Sequence, residues 1–288
     1  MYPASFEYHR AESIEDAAAL LAKYGDEAKL LAGGHSLLPL LKLRFTTPGH
    51  LIDVRRIPAL TGIRQDAGTI AIGAAATHNM VAQSTVVRGA LPLLSEAASE
   101  IGDPQVRNMG TIGGSLAHCD PAADLPAVVL ALGAELVAVG PRGRRVIAAD
   151  DFFVGICTTA LGAREILTEV RIPVPAKGTG GAYAKHPHPA SRYALAGVAA
   201  VVAIAGGKCS RASVASTGLS SHARRERAVE EALVGKAPDD AALAAAAAAV
   251  ASGLTLRSDL QGPAEYKRAL AVACARRALA TAVARARG

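Results

Sequence analysis

Two short glycine-rich segments contain the residues whose types and spacing could form a binding site for an anion. Loop 1 is residues 32–36 (AGGHS) and loop 2 is residues 111–115 (TIGGS). In both, small residues leave backbone N–H groups free beside a hydroxyl side chain. Successive N–H groups of this kind form anion-binding concavities, and glycine allows a ligand to approach the backbone closely. Together the two loops predict a site that holds a pyrophosphate from both sides.

Each loop alone is more often an ordinary turn than a binding site. Neither has the GxGxxG pattern of a doubly wound dinucleotide-binding fold, and neither is followed by the GKS or GKT of a phosphate-binding loop. These absences argue against both of those classes. From the residues alone, the prediction is an anion or dinucleotide site formed by two loops, with the cofactor left open.

Cysteine and histidine do not form a metal-ligand pattern in the sequence. The four cysteines are far apart, so no CxxC pair and no zinc or iron–sulfur spacing exists; they are Cys119, Cys157, Cys209 and Cys274. His186 and His188 are two residues apart in a proline-rich stretch. We therefore predict structural thiols, no metal ligands, and a metal only in another chain.

Composition and charge narrow the class of protein. Of the 288 residues 51% are hydrophobic, but many of these are alanine, and the longest apolar tracts (194–205 and 241–251) are too short for a bilayer. The first residues lack the basic and apolar regions of a signal peptide, so a cytoplasmic chain is expected, with any membrane contact made through partners. The net charge of +6 is spread out and only 3% of residues are aromatic, which argues against nucleic-acid binding.

The elements that must position the loops follow from hydrophobic spacing. Ser13 should cap a first helix that ends at Gly25. Strands are predicted at 29–32, 51–54, 69–73, 135–139 and 166–172, and helices at 77–83, 88–101 and 125–132. Residues 173–181 are rich in proline and glycine and predict a domain boundary.

Beyond that boundary the pattern changes. Three strands are predicted at 182–185, 194–204 and 209–217, the last two joined by a Gly206-Gly207 hairpin turn. Helices should then cover 222–234, 239–252 and 264–287. The expected fold class is α+β, with a domain at 1–177 and a C-terminal domain of three antiparallel strands and helices at 178–288.

Several spaced motifs resemble those of one known family. They are residues 30–39 (LLAGGHSLLP) with 42–44 (KLR), 108–117 (NMGTIGGSLA), 120–126 (DPAADLP), 165–173 (EILTEVRIP), Asp259, and 265–268 (EYKR). The chain is identified by them as resembling the FAD-binding medium subunit of molybdenum hydroxylases, above all of aerobic carbon monoxide dehydrogenase. The resemblance covers essentially the whole chain, in order.

The resemblance implies a fold, a cofactor and partners. The fold would be the vanillyl-alcohol-oxidase (PCMH) type of FAD-binding fold, with two α/β subdomains split near residues 55–60. The implied partners are a large molybdopterin subunit that oxidises the substrate and a small subunit with two [2Fe–2S] clusters, in a dimer of heterotrimers. FAD would pass electrons to a quinone or another external acceptor in preference to NAD. A flavin-less scaffold and a self-sufficient flavin oxidoreductase are the alternatives.

The resemblance also implies FAD-binding residues, and no catalytic acid or base. They are Ala32, Gly33, Gly34, His35, Ser36, Leu37, Thr111, Ile112, Gly113, Gly114, Ser115, His118, Asp124, Leu167, Lys185 and Tyr193. Asp124 could equally be a helix N-cap, His118 a satisfied polar loop residue, and Tyr193 an ordinary tyrosine at a strand start. Residues 185–189 (KHPHP) depart from the carbon monoxide dehydrogenase pattern, so the substrate stays open between carbon monoxide, an N-heterocycle and another compound.

Overall fold

The computed structural model describes residues 2–256 and 258–288, which form a three-stranded, a five-stranded and a four-stranded sheet with helices packed between them. A two-stranded ribbon, β8 (Phe153–Gly155) with β9 (Thr158–Thr159), completes the β structure of this part of the chain. The mixed helix-and-sheet composition agrees with the predicted α+β class. Within the described residues, no helix combines the length and the apolar character needed to cross a membrane.

The first sheet is parallel and begins the chain. Its order is β1-β3-β2, with β1 at Glu7–Arg10, β2 at Ala28–Leu31 and β3 at His50–Asp53. Helix α1 (Ile14–Tyr24) starts where the Ser13 hydroxyl accepts from the Asp16 N–H and ends at Gly25, as predicted. Helix α2 (Leu37–Lys42) follows loop 1 directly. Loop 1 therefore links the end of β2 to a helix N-terminus.

The second sheet is antiparallel and carries loop 2 on helices beside it. Its order is β4-β5-β10-β6-β7, with strands at Ile63–Asp66, Thr69–Gly73, Ile166–Pro173, Glu135–Gly140 and Gly143–Ala148 in that order. The helices are α3 (His78–Gln83), α4 (Thr85–Ala90), α5 (Pro92–Ser99), α6 (Pro104–Met109), α7 (Ile112–His118), α8 (Asp124–Ala131) and α9 (Ala149–Phe152). The strand at residues 69–73 is confirmed residue for residue.

The single helix predicted over residues 88–101 is wrong. Two helices occupy this stretch, α4 and α5, and they meet at Leu91, whose φ of −133° and ψ of 58° are not helical. Pro92 has no N–H to donate and cannot continue α4, but it fits the first turn of α5. The apolar spacing persists through the break because both helices pack on the same core.

The third sheet is antiparallel, with order β11-β12-β13-β14. The three predicted strands are present at Thr179–Pro187, Ala194–Ala205 and Lys208–Thr217, and a two-residue fourth strand, β14 (Arg224–Arg225), adds to them. Three helices follow: α10 (Arg227–Leu233), α11 (Asp240–Ala248) and α12 (Ala264–Arg287).

The helix predicted from residue 222 begins only at Arg227. The backbone before it pairs with β13, and the buried Glu226 carboxylate accepts from the Ser216 hydroxyl at 2.6 Å and the Ala251 N–H at 2.9 Å. These bonds hold the segment extended. The apolar pattern across residues 222–234 could not show that strand pairing and the Glu226 bonds replace the first turn of the predicted helix.

Helix α8 joins the second and third sheets. It is buried along its whole length, and it contacts β12 and β13 on the side of the third sheet opposite to α12. The Ser213 hydroxyl donates to the carbonyl of Ala131 at 2.6 Å, and the Thr217 hydroxyl lies 2.8 Å from the carbonyl of Ala123. The start of α8, and the segment between it and loop 2, are therefore held against the third sheet.

Candidate functional site

Loop 1 presents unpaired backbone donors. Gly34 has a φ of +75°, a conformation that glycine adopts without strain. The carbonyl oxygens of Gly34 and Ser36 accept hydrogen bonds from the N–H groups of Leu38 and Leu40. These two bonds form the first turn of α2. In the described part of the chain, the N–H groups of residues 33–37 donate to no protein acceptor. Loop 1 thus has the free N–H groups that the sequence predicted.

Loop 2 differs from that prediction, because the N–H groups of residues 112–115 are bonded inside the protein. Ile112 N donates to Ala76 O at 3.0 Å and Gly113 N donates to Ala74 O at 2.8 Å. The Thr111 side chain caps α7 by accepting from Gly114 N at 3.1 Å. Thr111, Ile112 and Gly113 are buried, whereas Gly114 and Ser115 are partly exposed. Loop 2 therefore packs against the protein and offers few free N–H donors to a ligand.

The two loops touch each other. A Cβ atom on Gly33 would overlap the carbonyl oxygen of Met109 and would lie 2.8 Å from Gly110 Cα. A Cβ on Gly114 would lie 4.0 Å from the Cβ of Ala32, so these two residues face each other. The structure therefore brings residues 32–33 against residues 109–114 over a separation of some 80 positions in sequence.

His78 is a residue of this region that the sequence analysis missed. It is 6% exposed and lies under loop 2, where its backbone N–H donates to Gly110 O at 2.9 Å and a Cβ on Gly110 would lie 2.8 Å from its ring. Burial, with the nearby His35 and Arg107, lowers the pKa of His78 to about 4. Its Nδ1 is buried with no hydrogen-bond partner among the described residues. A histidine buried without a partner has no signature in sequence.

Tyr193 is 42% exposed and lies near Ser36 of loop 1. It directly precedes β12, as an ordinary tyrosine at a strand start would. Burial raises the pKa of its hydroxyl, Asp120 and Asp124 add to the rise, and hydrogen bonding with Ser36 opposes it. The phenol therefore lies near Ser36 in loop 1, and its contact with the flavin stays a prediction.

Asp124 is not the N-cap of α8, which is Ala123. Its buried carboxylate instead pairs with the buried Lys185 ammonium at 3.1 Å and accepts from the Tyr183 hydroxyl at 2.5 Å. Burial raises the pKa of the Asp124 carboxyl and Lys185 opposes that rise; burial, and then Asp124, raise the pKa of Tyr183 well above its ordinary value. The N-cap interpretation is wrong, and Tyr183 is a member of the cluster that sequence reasoning missed.

Lys185 also fixes the turn that carries Tyr193. Its ammonium donates to the carbonyls of Glu100 at 3.0 Å and Arg192 at 3.1 Å, so all three of its protons have acceptors when Asp124 is included. Asp124 and Lys185 are 5% and 7% exposed. Both are satisfied inside the protein, and they link α8, β11 and the turn before β12.

The remaining predicted residues lie in helices α2 and α7 and in strand β10. Leu37 begins α2, and His118 ends α7 with its Nε2 3.9 Å from an Asp120 carboxylate oxygen. Leu167 is buried in β10, next to Thr168, whose carbonyl accepts from Ala74 N. His118 is thus a residue at a helix end and not in a loop, and Leu167 lies in the strand that pairs with β6.

The residues present fit the pyrophosphate of a dinucleotide. Loop 1 offers consecutive N–H groups at a glycine with positive φ, which is the arrangement that binds anions. Gly33 and Gly114 have no side chain to fill the space where the loops meet. The Ser36 hydroxyl of loop 1 and the nearby Tyr193 phenol add polar groups on the loop 1 side.

Comparison with known proteins agrees with the family resemblance along the whole chain. The family described as FAD binding domain in molybdopterin dehydrogenase matches residues 4–175, and the CO dehydrogenase flavoprotein C-terminal domain matches residues 181–282. The carbon monoxide dehydrogenase medium chain of Hydrogenophaga pseudoflava is 46% identical over 285 residues, covering 99% of both chains. The 6-hydroxypseudooxynicotine dehydrogenase complex subunit alpha of Paenarthrobacter nicotinovorans is 41% identical, covering 100% of this chain and 97% of its own. A solved structure of carbon monoxide dehydrogenase from Hydrogenophaga pseudoflava superposes with a TM-score of 0.96 at 48% identity, covering 99% of each chain.

Proposed function

The chain belongs to the family of FAD-binding domains in molybdopterin dehydrogenases, and from this premise we propose that it is the FAD-carrying medium subunit of a molybdenum hydroxylase. Such a subunit passes electrons from the [2Fe–2S] clusters of a small partner to an external acceptor, while a large molybdopterin subunit oxidises the substrate. The observation that carries the proposal is the match of both families, in order, together with 46% identity over 99% of a medium chain.

FAD supplies the redox chemistry when it is bound, and this chain supplies binding and exclusion of water. We propose that the N–H groups of loop 1 hold the pyrophosphate and that Gly113 and Gly114 of loop 2 form the opposite wall. Tyr193, fixed through Lys185 and Asp124, covers the loop 1 side. The other residues proposed to line the cofactor are those carried over from the family: Ala32, His35, Ser36, Leu37, Thr111, Ile112, Ser115, His118 and Leu167.

The proposed domain organisation is residues 1–177 for FAD binding and 178–288 for the C-terminal domain, with the first split near 55–60. The parallel sheet ends at Asp53 and the five-stranded sheet begins at Ile63, which supports the split. The four-stranded sheet begins at Thr179, which supports the main boundary.

The partner subunits and the acceptor are further parts of the proposal. A dimer of heterotrimers follows from the family resemblance, and a quinone or membrane-linked carrier at the inner face of the membrane is the proposed acceptor. Support for the latter is the lack of a GxGxxG fingerprint for NAD and the pI of about 9.3, which favours an anionic surface. The substrate is carbon monoxide or an N-heterocycle, since relatives of both kinds are similar to this chain.

Purification of the native complex tests the proposal. We expect the chain to copurify with a large and a small subunit and to show flavin absorption bands. A lone 29.3 kDa species would contradict the complex, and a complex without flavin would favour the scaffold alternative. Substrate turnover by the isolated chain would favour a self-sufficient flavin oxidoreductase.

Stopped-flow reoxidation of the substrate-reduced complex tests the acceptor separately. Quinone analogues should reoxidise the flavin much faster than NAD does. Faster reoxidation by NAD would overturn the quinone assignment while leaving FAD binding intact.

A further inference from the structure

Three potential metal-binding side chains meet on one face of the parallel sheet, on β1 and β3. Glu7 and His9 are two residues apart on β1, so their side chains point to the same face. His50 pairs with Glu7 in the parallel register between β1 and β3. The sheet therefore brings together residues that are 41 positions apart or more, which the sequence spacing could not reveal.

The three donor atoms are close enough to share one ion. His9 Nε2 lies 3.0 Å from His50 Nδ1, and the Glu7 Oε2 atom lies 3.4 Å from His50 Nδ1 and 3.8 Å from His9 Nε2. A tetrahedral ion with bonds of about 2.1 Å separates its ligands by about 3.4 Å. The observed separations fall around this value. In the absence of an ion, the two imidazoles share one hydrogen bond, and a metal would replace the shared proton.

Tyr24 holds both rings in place. Its ring stacks on His50 with centroids 3.7 Å apart and on His9 with centroids 4.9 Å apart. The imidazole side chains are 20% and 15% exposed, whereas the Glu7 side chain is 71% exposed. The two nitrogen ligands are thus preorganised, and the carboxylate is free to meet an ion arriving from solvent.

We propose that Glu7, His9 and His50 form a binding site for one zinc ion, with water in the remaining position. Two imidazoles and one carboxylate suit zinc, whereas magnesium and calcium require oxygen ligands. The bound ion would tie β1 to β3, whose other neighbour, β2, runs into loop 1. The site shares no residue with loop 1 or loop 2, so it stands independently of the proposed function.

Equilibrium dialysis of the full-length, tag-free chain against zinc tests the site. The protein is first treated with a chelator, and bound metal is then measured by mass spectrometry. We expect one zinc ion per chain. His9→Gln, His50→Gln and Glu7→Gln should each weaken zinc binding by more than about 10-fold, because even loss of an outer-shell partner commonly costs that much.

Two matched controls separate this site from other zinc-binding groups. His222→Gln removes a histidine elsewhere, and Cys157→Ser removes the exposed thiol. Both should keep the wild-type zinc affinity. Because Glu7 is exposed, Glu7→Gln leaves the fold intact and keeps the test valid if a histidine variant fails to fold. No bound zinc in the wild type, or equal affinity in Glu7→Gln and wild type, would overturn the proposal.

Discussion

Loop 1 and loop 2 have similar sequences but different hydrogen bonding. Both join a Gly-Gly pair to a hydroxyl residue. Among the described residues, the N–H groups of residues 33–37 in loop 1 have no protein acceptor, whereas those of residues 112–115 in loop 2 donate to Ala74, Ala76 and Thr111. A run of small residues in a sequence therefore shows that something can approach the backbone closely. It does not show whether that partner is a ligand or another part of the protein. In this chain loop 2 approaches the protein backbone, and loop 1 is the loop that we propose to approach the ligand.

The largest expected effect is a folding defect from a side chain on Gly113. A Cβ there would overlap Ala74, including its backbone, so Gly113→Val should lower the free energy of unfolding by about 3 kcal/mol or more, at the upper end for overpacking. Denaturant unfolding of the FAD-free chain measures this. Gly89→Val is the matched control, because Gly89 lies in α4 with open space around it and should be near neutral. Equal midpoints for the two variants would remove the distinction between the loops.

The next effect is a pH dependence from His78 beneath loop 2. Its pKa falls from 6.5 in the unfolded chain to about 4 in the fold, so the unfolded state binds the proton first as the pH drops. The stability it contributes is present above pH 6.5 and is lost as the pH falls to about 4, a difference of about 3 kcal/mol. Unfolding free energies measured between these pH values should fall less steeply in His78→Gln. The same slope in both proteins would show that the imidazole is not buried as described.

Gly34→Ala should act on FAD, in contrast to Gly113→Val. The φ of +75° at Gly34 costs an alanine about 1–2 kcal/mol, and relief of that strain would turn the loop 1 N–H groups away. We expect FAD affinity to fall by about 10-fold, the equivalent of 1.4 kcal/mol. Gly143→Ala is the control, since Gly143 also has a positive φ but begins β7 after the β6–β7 turn, with open space around it. Flavin titration should show unchanged affinity in that control; equal losses in both variants would contradict a local role for Gly34.

The smallest effect compares the two hydroxyl residues that precede helices. Thr111 caps α7 through its side chain, whereas the Ser36 side chain makes no capping bond to α2. Thr111→Ala should therefore lower the unfolding free energy of the FAD-free chain by about 1 kcal/mol, and Ser36→Ala should change it little. Thermal or denaturant unfolding measures both. A larger loss in Ser36→Ala would reverse the roles given to the loops.

Much of the fold was predictable from local patterns. The strand Thr69–Gly73, the Gly206-Gly207 turn and the helix Ala264–Arg287 follow from spacing and turn chemistry that a single segment contains. The break at Pro92 and the strand at Arg224–Arg225 were missed, because the apolar pattern continues through both. At Pro92 the proline ends one helix and begins the next, and at Arg224–Arg225 pairing with β13 prevents a helix.

The residues of the candidate site come from the resemblance and stay a prediction, whereas their hydrogen bonds could not be predicted from the sequence. The resemblance located both loops, but the partners of loop 2 are carbonyls that the fold brings from residues 74 and 76. The pairing of Asp124 with Lys185 joins positions 61 apart, and the His9 and His50 contact joins positions 41 apart. Such contacts depend on strand register and packing, which no local spacing encodes.

Amide hydrogen exchange of the full chain, with and without FAD, gives the most direct test of the central claim. The claim is that the N–H groups of loop 1 bind FAD, whereas those of loop 2 are bonded within the protein. The unpaired N–H groups of residues 33–37 should exchange fast without FAD and become protected when it binds. Residues 112–114, already bonded within the protein, should be protected in both states and change little. Protection that appears at residues 112–114 on FAD binding, with none at residues 33–37, would contradict the account.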